Sequence, residues 1–159
     1  MQIGIVAIGR VKAGAEKGLC ERYLERAAAS GRALGLGPVS VREIGESRAG
    51  SAAARKREEA AALLAGVGED DLVIALDERG EQISSEGFSG LLDRARETRK
   101  RAVFIIGGAD GLDAAVRKRA DHTLAFGAIT LPHQIARAIL LEQIYRAMTI
   151  LSGHPYHRA

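Results

Sequence analysis

Three short runs of uninterrupted apolar residues constrain this chain more than any other feature. Gln2–Ile8 reads QIGIVAI, Leu72–Leu76 reads LVIAL and Ala102–Ile106 reads AVFII. A strand with one wet face alternates apolar and polar side chains, whereas a strand covered on both faces is apolar throughout. These runs therefore predict sheet strands with helices packed on either side. Val39–Ile44 (VSVREI) adds an alternating strand, and His122–Phe126 and Ile129–Leu131 are weaker strand candidates. Segments of helical period lie between them. Ala15–Ala29 sets Leu19, Tyr23 and Ala27 on one stripe, and Ala52–Ala65 gathers Ala60, Leu63 and Leu64. Glu86–Thr98 follows a capping candidate at Ser84–Ser85 and aligns Phe88, Leu91, Leu92 and Ala95, and Leu112–Ala120 is short. Such alternation predicts an α/β fold with a mostly parallel sheet. No linker or repeat divides the 159 residues, so 1–159 reads as a single domain.

Composition narrows the function classes. With 47% hydrophobic and 27% charged residues, disorder is excluded for most of the chain. One cysteine excludes a disulfide framework and every Cys-rich zinc module, and it fits a reducing, cytoplasmic setting. No apolar run approaches the ~18 residues of a membrane span, and the opening MQIGIVAIGRVK is apolar too briefly for a secretory signal. No membrane partner is expected. The net charge of +3 permits a nucleic-acid partner without demanding one.

The last helical segment, Ile135–Leu151, is apolar nearly all round. Ile135, Ile139 and Ile150 take one sector, Leu140, Ile144, Ala147 and Leu151 a second, and Leu141, Tyr145 and Met148 a third. Pro132 fits its first turn. A helix of this kind must be covered on more than one side. Deep burial within the chain satisfies that demand, and so does a second copy of the chain.

The common nucleotide and metal signatures are missing. Gly9-Arg10-Val11-Lys12-Ala13-Gly14 is neither G-x-G-x-x-G nor a Walker loop, and no His/Cys/Asp/Glu cluster has metal-ligand spacing, so no metal is expected. Three loops remain at the carboxyl ends of predicted strands: Leu76–Gly80, Gly107–Gly111 and Gly127–His133. Ligands of open α/β sheets bind at that edge, and glycine there admits a ligand close to the backbone. Each loop alone also reads as an ordinary turn. The C-terminus, Gly153-His154-Pro155-Tyr156-His157-Arg158-Ala159, concentrates versatile side chains where chains usually fray.

In combination these residues resemble a known family. Leu76-Asp77-x-x-Gly80, Ile106-Gly107-Gly108-x-x-Gly111-Leu112, Thr130-Leu131-Pro132-His133, Leu141-Glu142-Gln143-x-Tyr145-Arg146-Ala147 and His154-Pro155-Tyr156-His157-Arg158 are similar, in this order, to the RlmH family. These are the large-subunit ribosomal RNA pseudouridine N3-methyltransferases of the SPOUT superfamily. The resemblance implies a C-terminal trefoil knot, a homodimer and S-adenosylmethionine as cofactor. By position it implies a cofactor pocket of Leu76, Gly108 and the loop Gly127, Ala128, Ile129, Thr130, Leu131 and Pro132. Many relatives have Ser where this chain has Gly127, so any side-chain bond from that position is lost, with tolerance expected because the loop would act through its backbone.

The implied substrate is a pseudouridine in large-subunit ribosomal RNA, reached on the assembled ribosome, and no DNA partner is expected. The implied chemistry is in-line attack by N3 on a methyl carbon, with loss of the N3 proton. Tyr156 and His157 are candidates for orienting the base and assisting proton removal, and Arg158 for phosphate or imide-anion contact. His133, at a helix N-terminus, reads either as a neutral acceptor or as a hydrogen-bonded cap. Phosphate contact is open to Arg10, Lys12, Arg55, Lys56, Arg57, Arg94, Arg96, Arg99, Lys100, Arg101, Arg117, Lys118 and Arg119. A non-catalytic RNA-binding dimer and a transfer-RNA methyltransferase are the competing classes.

Overall fold

The structure is a computed structural model that describes residues 1–158; Ala159, the last residue of the span read as one domain, lies outside the described residues. Five strands form one sheet: β1 (Gln2–Ile8), β2 (Val39–Ile44), β3 (Leu72–Glu81), β4 (Arg101–Ile106) and β5 (His122–Leu124). Their order is β2-β1-β4-β3-β5, and every pairing is parallel. All carboxyl ends therefore share one edge.

The helices are α1 (Ala15–Gly31), α2 (Ala52–Leu64), α3 (Ser85–Thr98), α4 (Ala114–Arg119) and α5 (His133–Ser152). The apolar runs behave as their composition requires. Ile3, Ile5, Leu72, Ile74, Ala102 and Phe104 face one core, with residues of α1, α3 and α5. Val6, Ile8, Val73, Ala75, Val103 and Ile105 face the other, with residues of α2 and α4. Side chains thus alternate between two buried layers, and water wets neither face of the central strands.

Helix starts follow local chemistry. Ser51 Oγ accepts from Ala54 N at 3.2 Å, Ser84 Oγ from Gly87 N at 3.1 Å and Asp113 Oδ1 from Ala115 N at 2.9 Å. Ser84 is the cap of α3, while Ser85 donates sideways to Gln143 Oε1 at 2.8 Å, tying α3 to α5. Pro132 stands one residue before α5 as its N-cap, and Gly153 closes the helix with φ 66°.

Three expectations change. The Leu76–Gly80 loop is strand: β3 runs on to Glu81, slips register between Leu76 and Glu81, and pairs again with Leu124. Gly80 is glycine because β3 lies backbone to backbone against β5 there. A Cβ on it would stand 2.6 Å from the Leu124 carbonyl carbon, so this glycine admits backbone and not ligand. Ile129–Leu131 is not a strand, and β5 ends at Leu124, because Gly127 turns the chain away at φ 129°. Finally, most of the apolar girth of α5 is covered from within. Leu140, Leu141, Ile144, Tyr145, Ala147 and Met148 are buried among α1, α3 and the sheet, while Ile135, Ile139, Ile150 and Leu151 stay half-buried.

Candidate active site

Beyond the carboxyl ends of β3, β4 and β5 lies a cavity of about 610 Å³. It brings together all three segments singled out in the sequence. Leu76, Ile106, Leu124, Phe126 and Leu131 give it apolar walls, and Gly107, Gly108 and the turn after β5 give it backbone. Of the expected cofactor residues, Leu76, Gly108, Gly127, Ile129, Thr130, Leu131 and Pro132 line it. Ala128 belongs to the same turn but points elsewhere, and it is exposed. Gly127–Leu131 make no backbone hydrogen bond to other described backbone, so their N–H and C=O groups are free for a ligand. Ile129 is 73% exposed, an unusual position for a large apolar side chain.

The walls are braced by residues with no motif of their own. From α2, Arg55 grips Asp110 with two bonds of 2.7 and 3.1 Å, and the fork holds the Asp110 carboxyl below its usual range. One turn on, the buried Glu59 fills the space beneath Gly108. A Cβ at Gly108 would lie 2.9 Å from Ile8 Cγ2 and 3.1 Å from Glu59 Oε2. Asp77 takes bonds from Arg79 N at 3.0 Å and Arg117 Nη1 at 3.2 Å. Thr130 Oγ1 donates to Glu78 Oε2 at 2.7 Å, linking the turn after β5 to the end of β3.

His133 lines the cavity from the first turn of α5. Its ring lies against Gly9, where a Cβ would come within 2.7 Å of Nε2. Arg137, one turn later and only 1% exposed, donates to Gly9 O at 2.8 Å and is ion-paired to Glu43. Burial pushes the Glu43 carboxyl up, but the Val11 N–H and the Arg137 guanidinium outweigh it, and the net displacement is downward.

Tyr156, His157 and Arg158 lie away from this cavity. They follow the far end of α5, whose 20 residues put about 30 Å between its ends. Tyr156 OH donates to Glu142 Oε1 at 2.9 Å, meets Tyr23 OH at 3.3 Å and lies under the Arg146 guanidinium at 4.9 Å. Burial first, then these two bonds, raises its pKa, so the hydroxyl stays protonated. His157 Nδ1 faces Arg146 Nη1 at 3.5 Å, and Nε2 faces Glu86 Oε1 at 2.9 Å. A guanidinium can only donate, so Nδ1 accepts and Nε2–H points at the carboxylate. Arg158 is exposed. Of the holders, Glu142 and Arg146 stand in the Leu141–Ala147 motif at i,i+4 spacing, whereas nothing in the sequence marks Tyr23 and Glu86 as partners of the tail. Among the described residues no cluster of three or more His, Cys, Asp or Glu could hold a metal ion, and no helix is long and apolar enough to cross a membrane.

A parallel sheet with a glycine-lined cavity at its carboxyl edge defines a ligand-binding α/β protein. The family model described as "Predicted SPOUT methyltransferase" matches residues 1–157, and the chain belongs to that family. A Rhizobium etli protein named ribosomal RNA large subunit methyltransferase H is 55% identical over 159 residues, covering 99% of both chains. A Sinorhizobium medicae protein of the same name is 53% identical over 160 residues, covering 100% of both. Among solved structures, the SpoU methyltransferase AviRb from Streptomyces viridochromogenes, in complex with the cofactor AdoMet, aligns with a TM-score of 0.43 at 14% identity, over 91% of this chain and 57% of that one.

Proposed function

We propose that this chain is a homodimeric, S-adenosylmethionine-dependent methyltransferase that modifies N3 of a pseudouridine in large-subunit ribosomal RNA, on the assembled ribosome. The observation that carries the reading is the cavity itself: apolar walls, a turn of unpaired backbone groups, and three strand ends converging, in a chain matched end to end by relatives named for large-subunit ribosomal RNA methylation.

The residues fit the cofactor. About 610 Å³ lies within the roughly 300–1,000 Å³ of ordinary ligand sites. Leu76, Ile106, Phe126 and Leu131 suit a flat base, and the backbone of Gly127–Pro132 suits its polar edge. Bound there, S-adenosylmethionine supplies a methyl group made electrophilic by the sulfonium. The protein holds the acceptor nitrogen in line and removes its proton. The knot implied by the family is part of this reading, and the close backbone approach of Gly80 to Leu124 is compatible with it.

His133 is the one candidate proton acceptor that its own chain brings to the cavity. The tail reaches a cavity only by belonging to a second copy, since α5 separates the two within one chain. Half-buried Ile135 and Ile139, with exposed Ile129, provide apolar surface beside the cavity for that copy. In the completed site, Tyr156 is a neutral donor that anchors the tail, His157 assists proton removal through Nδ1 once that nitrogen is released by Arg146, with Glu86 orienting the ring through Nε2–H, and Arg158 stabilises the imide anion. Methyl transfer from labelled S-adenosylmethionine to assembled ribosomes, isolated large subunits, naked ribosomal RNA and transfer RNA tests the reading. Nucleoside mass spectrometry should find N3-methylpseudouridine with assembled ribosomes. Label only on transfer RNA, or none despite cofactor binding, would overturn it.

A further inference from the structure

The chain carries 23 Lys and Arg residues, and the fold divides them. One group is consumed by the structure. Arg99 donates to Asp70 O at 3.1 Å and Arg101 to Gly66 O at 3.0 Å. Arg119 reaches Gly68 O at 2.6 Å and Asp71 O at 3.1 Å. Arg55 and Arg117 are held by Asp110 and Asp77, and Arg96 by Asp93 and Leu34 O. A guanidinium already committed to a carbonyl or carboxylate has fewer of its five donors, and less freedom to reorient, for a phosphate.

A second group has no hydrogen-bond or ion-pair partner among the described residues. Arg79 lines the cavity from β3, and four further members stand along the carboxyl edge of the sheet. Arg10 and Lys12 follow β1, Arg48 follows β2, and Lys56 comes from the second turn of α2. The first three are exposed or half-buried, and Lys56 lines the cavity. Strand order makes this a continuous feature: β2 and β1 occupy one half of the edge, and β4, β3 and β5, which carry the cavity, occupy the other. The acids nearby are mostly engaged. Glu43 is taken by Arg137 and Val11 N, Asp77 by Arg117, Asp110 by Arg55 and Glu78 by Thr130. Glu58 and Glu59 accept from Ser47, and Glu16 and Glu46 remain without a partner among the described residues, against these four cations.

We infer that Arg10, Lys12, Arg48 and Lys56 form the phosphate track that leads the RNA strand across the β1–β2 half of the edge and delivers its base to the cavity. The inference rests on the proposed ribosomal RNA substrate and assigns it a direction of approach. His133 and Gly9 mark the junction where the track meets the pocket. Arg94, Lys100 and Lys118 are equally free of partners among the described residues, but they lie toward the amino ends of β3, β4 and β5, on the opposite edge. They share the chemistry of the track and not its place, which makes them the control.

Two variants of equal charge loss separate these assignments. One changes Arg10, Lys12 and Arg48 to Ala, and the other Arg94, Lys100 and Lys118 to Ala. Binding to assembled ribosomes is measured over a KCl series, with cofactor affinity and the KM and kcat of methyl transfer. The edge variant should flatten the log–log salt slope by about 2, at roughly 0.7 for each single-strand phosphate that is no longer neutralised. Its KM for ribosomes should rise at least tenfold, with kcat and cofactor affinity unchanged. The control should keep the wild-type slope and KM. Equal losses in both variants, or wild-type behaviour of the edge variant, would overturn the track and leave the proposed function standing. A wild-type chain that neither binds nor methylates ribosomes would overturn both.

Discussion

Gly127 carries more of the site than its missing side chain suggests. Its φ of 129° lies where L-residues are rarely found, and nothing stands within 4 Å of a Cβ built there. The constraint is therefore conformational and not steric. The Gly127→Ser variant should strain this turn by about 1–2 kcal/mol. If the turn relaxes to shed that strain and must resume this conformation to bind cofactor, calorimetry should show affinity reduced about tenfold, with the melting temperature little changed, since about 1.4 kcal/mol is tenfold in an equilibrium constant. Unchanged affinity would mean that the turn binds in another backbone conformation. The sequence showed this glycine but not its dihedral angle. At Gly80 it showed the residue and suggested the wrong neighbour, because a close approach between distant backbone segments leaves no periodic signal.

Helix α5 connects the scales, because one end touches the cavity and the other holds the tail. Its seating depends on Arg137, whose side chain is 2% exposed and has Glu43 as its one charged partner among the described residues. Glu43→Ala should cost roughly 1–3 kcal/mol in denaturant unfolding, since it leaves the buried Arg137 with Gly9 O as its remaining partner among the described residues. The pair also sets a pH dependence. The folded-state pKa of Glu43 is depressed below its ordinary 4.5, so its stabilisation is full above that value and lost as pH falls through the folded pKa. Wild type should therefore lose more stability than Glu43→Gln between neutral pH and the acid side of that value. Equal acid sensitivity would remove the pair from the account. At the tail, Tyr156→Phe deletes the bond to Glu142 and should loosen residues 154–158 to proteolysis while sparing cofactor affinity. Elements were legible wherever periodicity set them: β1, β2, β4 and the helix cores lie within a residue or two of their expected places. The missed parts, the β3 extension and the turn after β5, are set by long-range pairing and a single glycine dihedral angle. Glu59 and Arg137 escape notice for a related reason, since a charged residue within a helical pattern reads as solvated until its tertiary partners are known.

The whole molecule presents a cavity that lacks its own tail. Both halves were visible in the sequence, as strand-end loops and as His154–Arg158, but the roughly 30 Å of α5 between them was not a distance until the helix was seated. A site completed by exchange between two equivalent copies needs an isologous pair, in which each tail serves the other cavity. Subunit complementation measures this directly. Leu131→Arg would block the cavity and leave the tail intact, and truncation before Pro155 would remove the tail and leave the cavity intact. Each variant alone should be inactive toward ribosomes. Co-expressed in equal amounts, they should recover roughly a quarter of wild-type methyl transfer, the share of sites that random pairing makes whole. No recovery from well-folded mixed dimers, or full activity in either variant alone, would contradict a site shared between two chains.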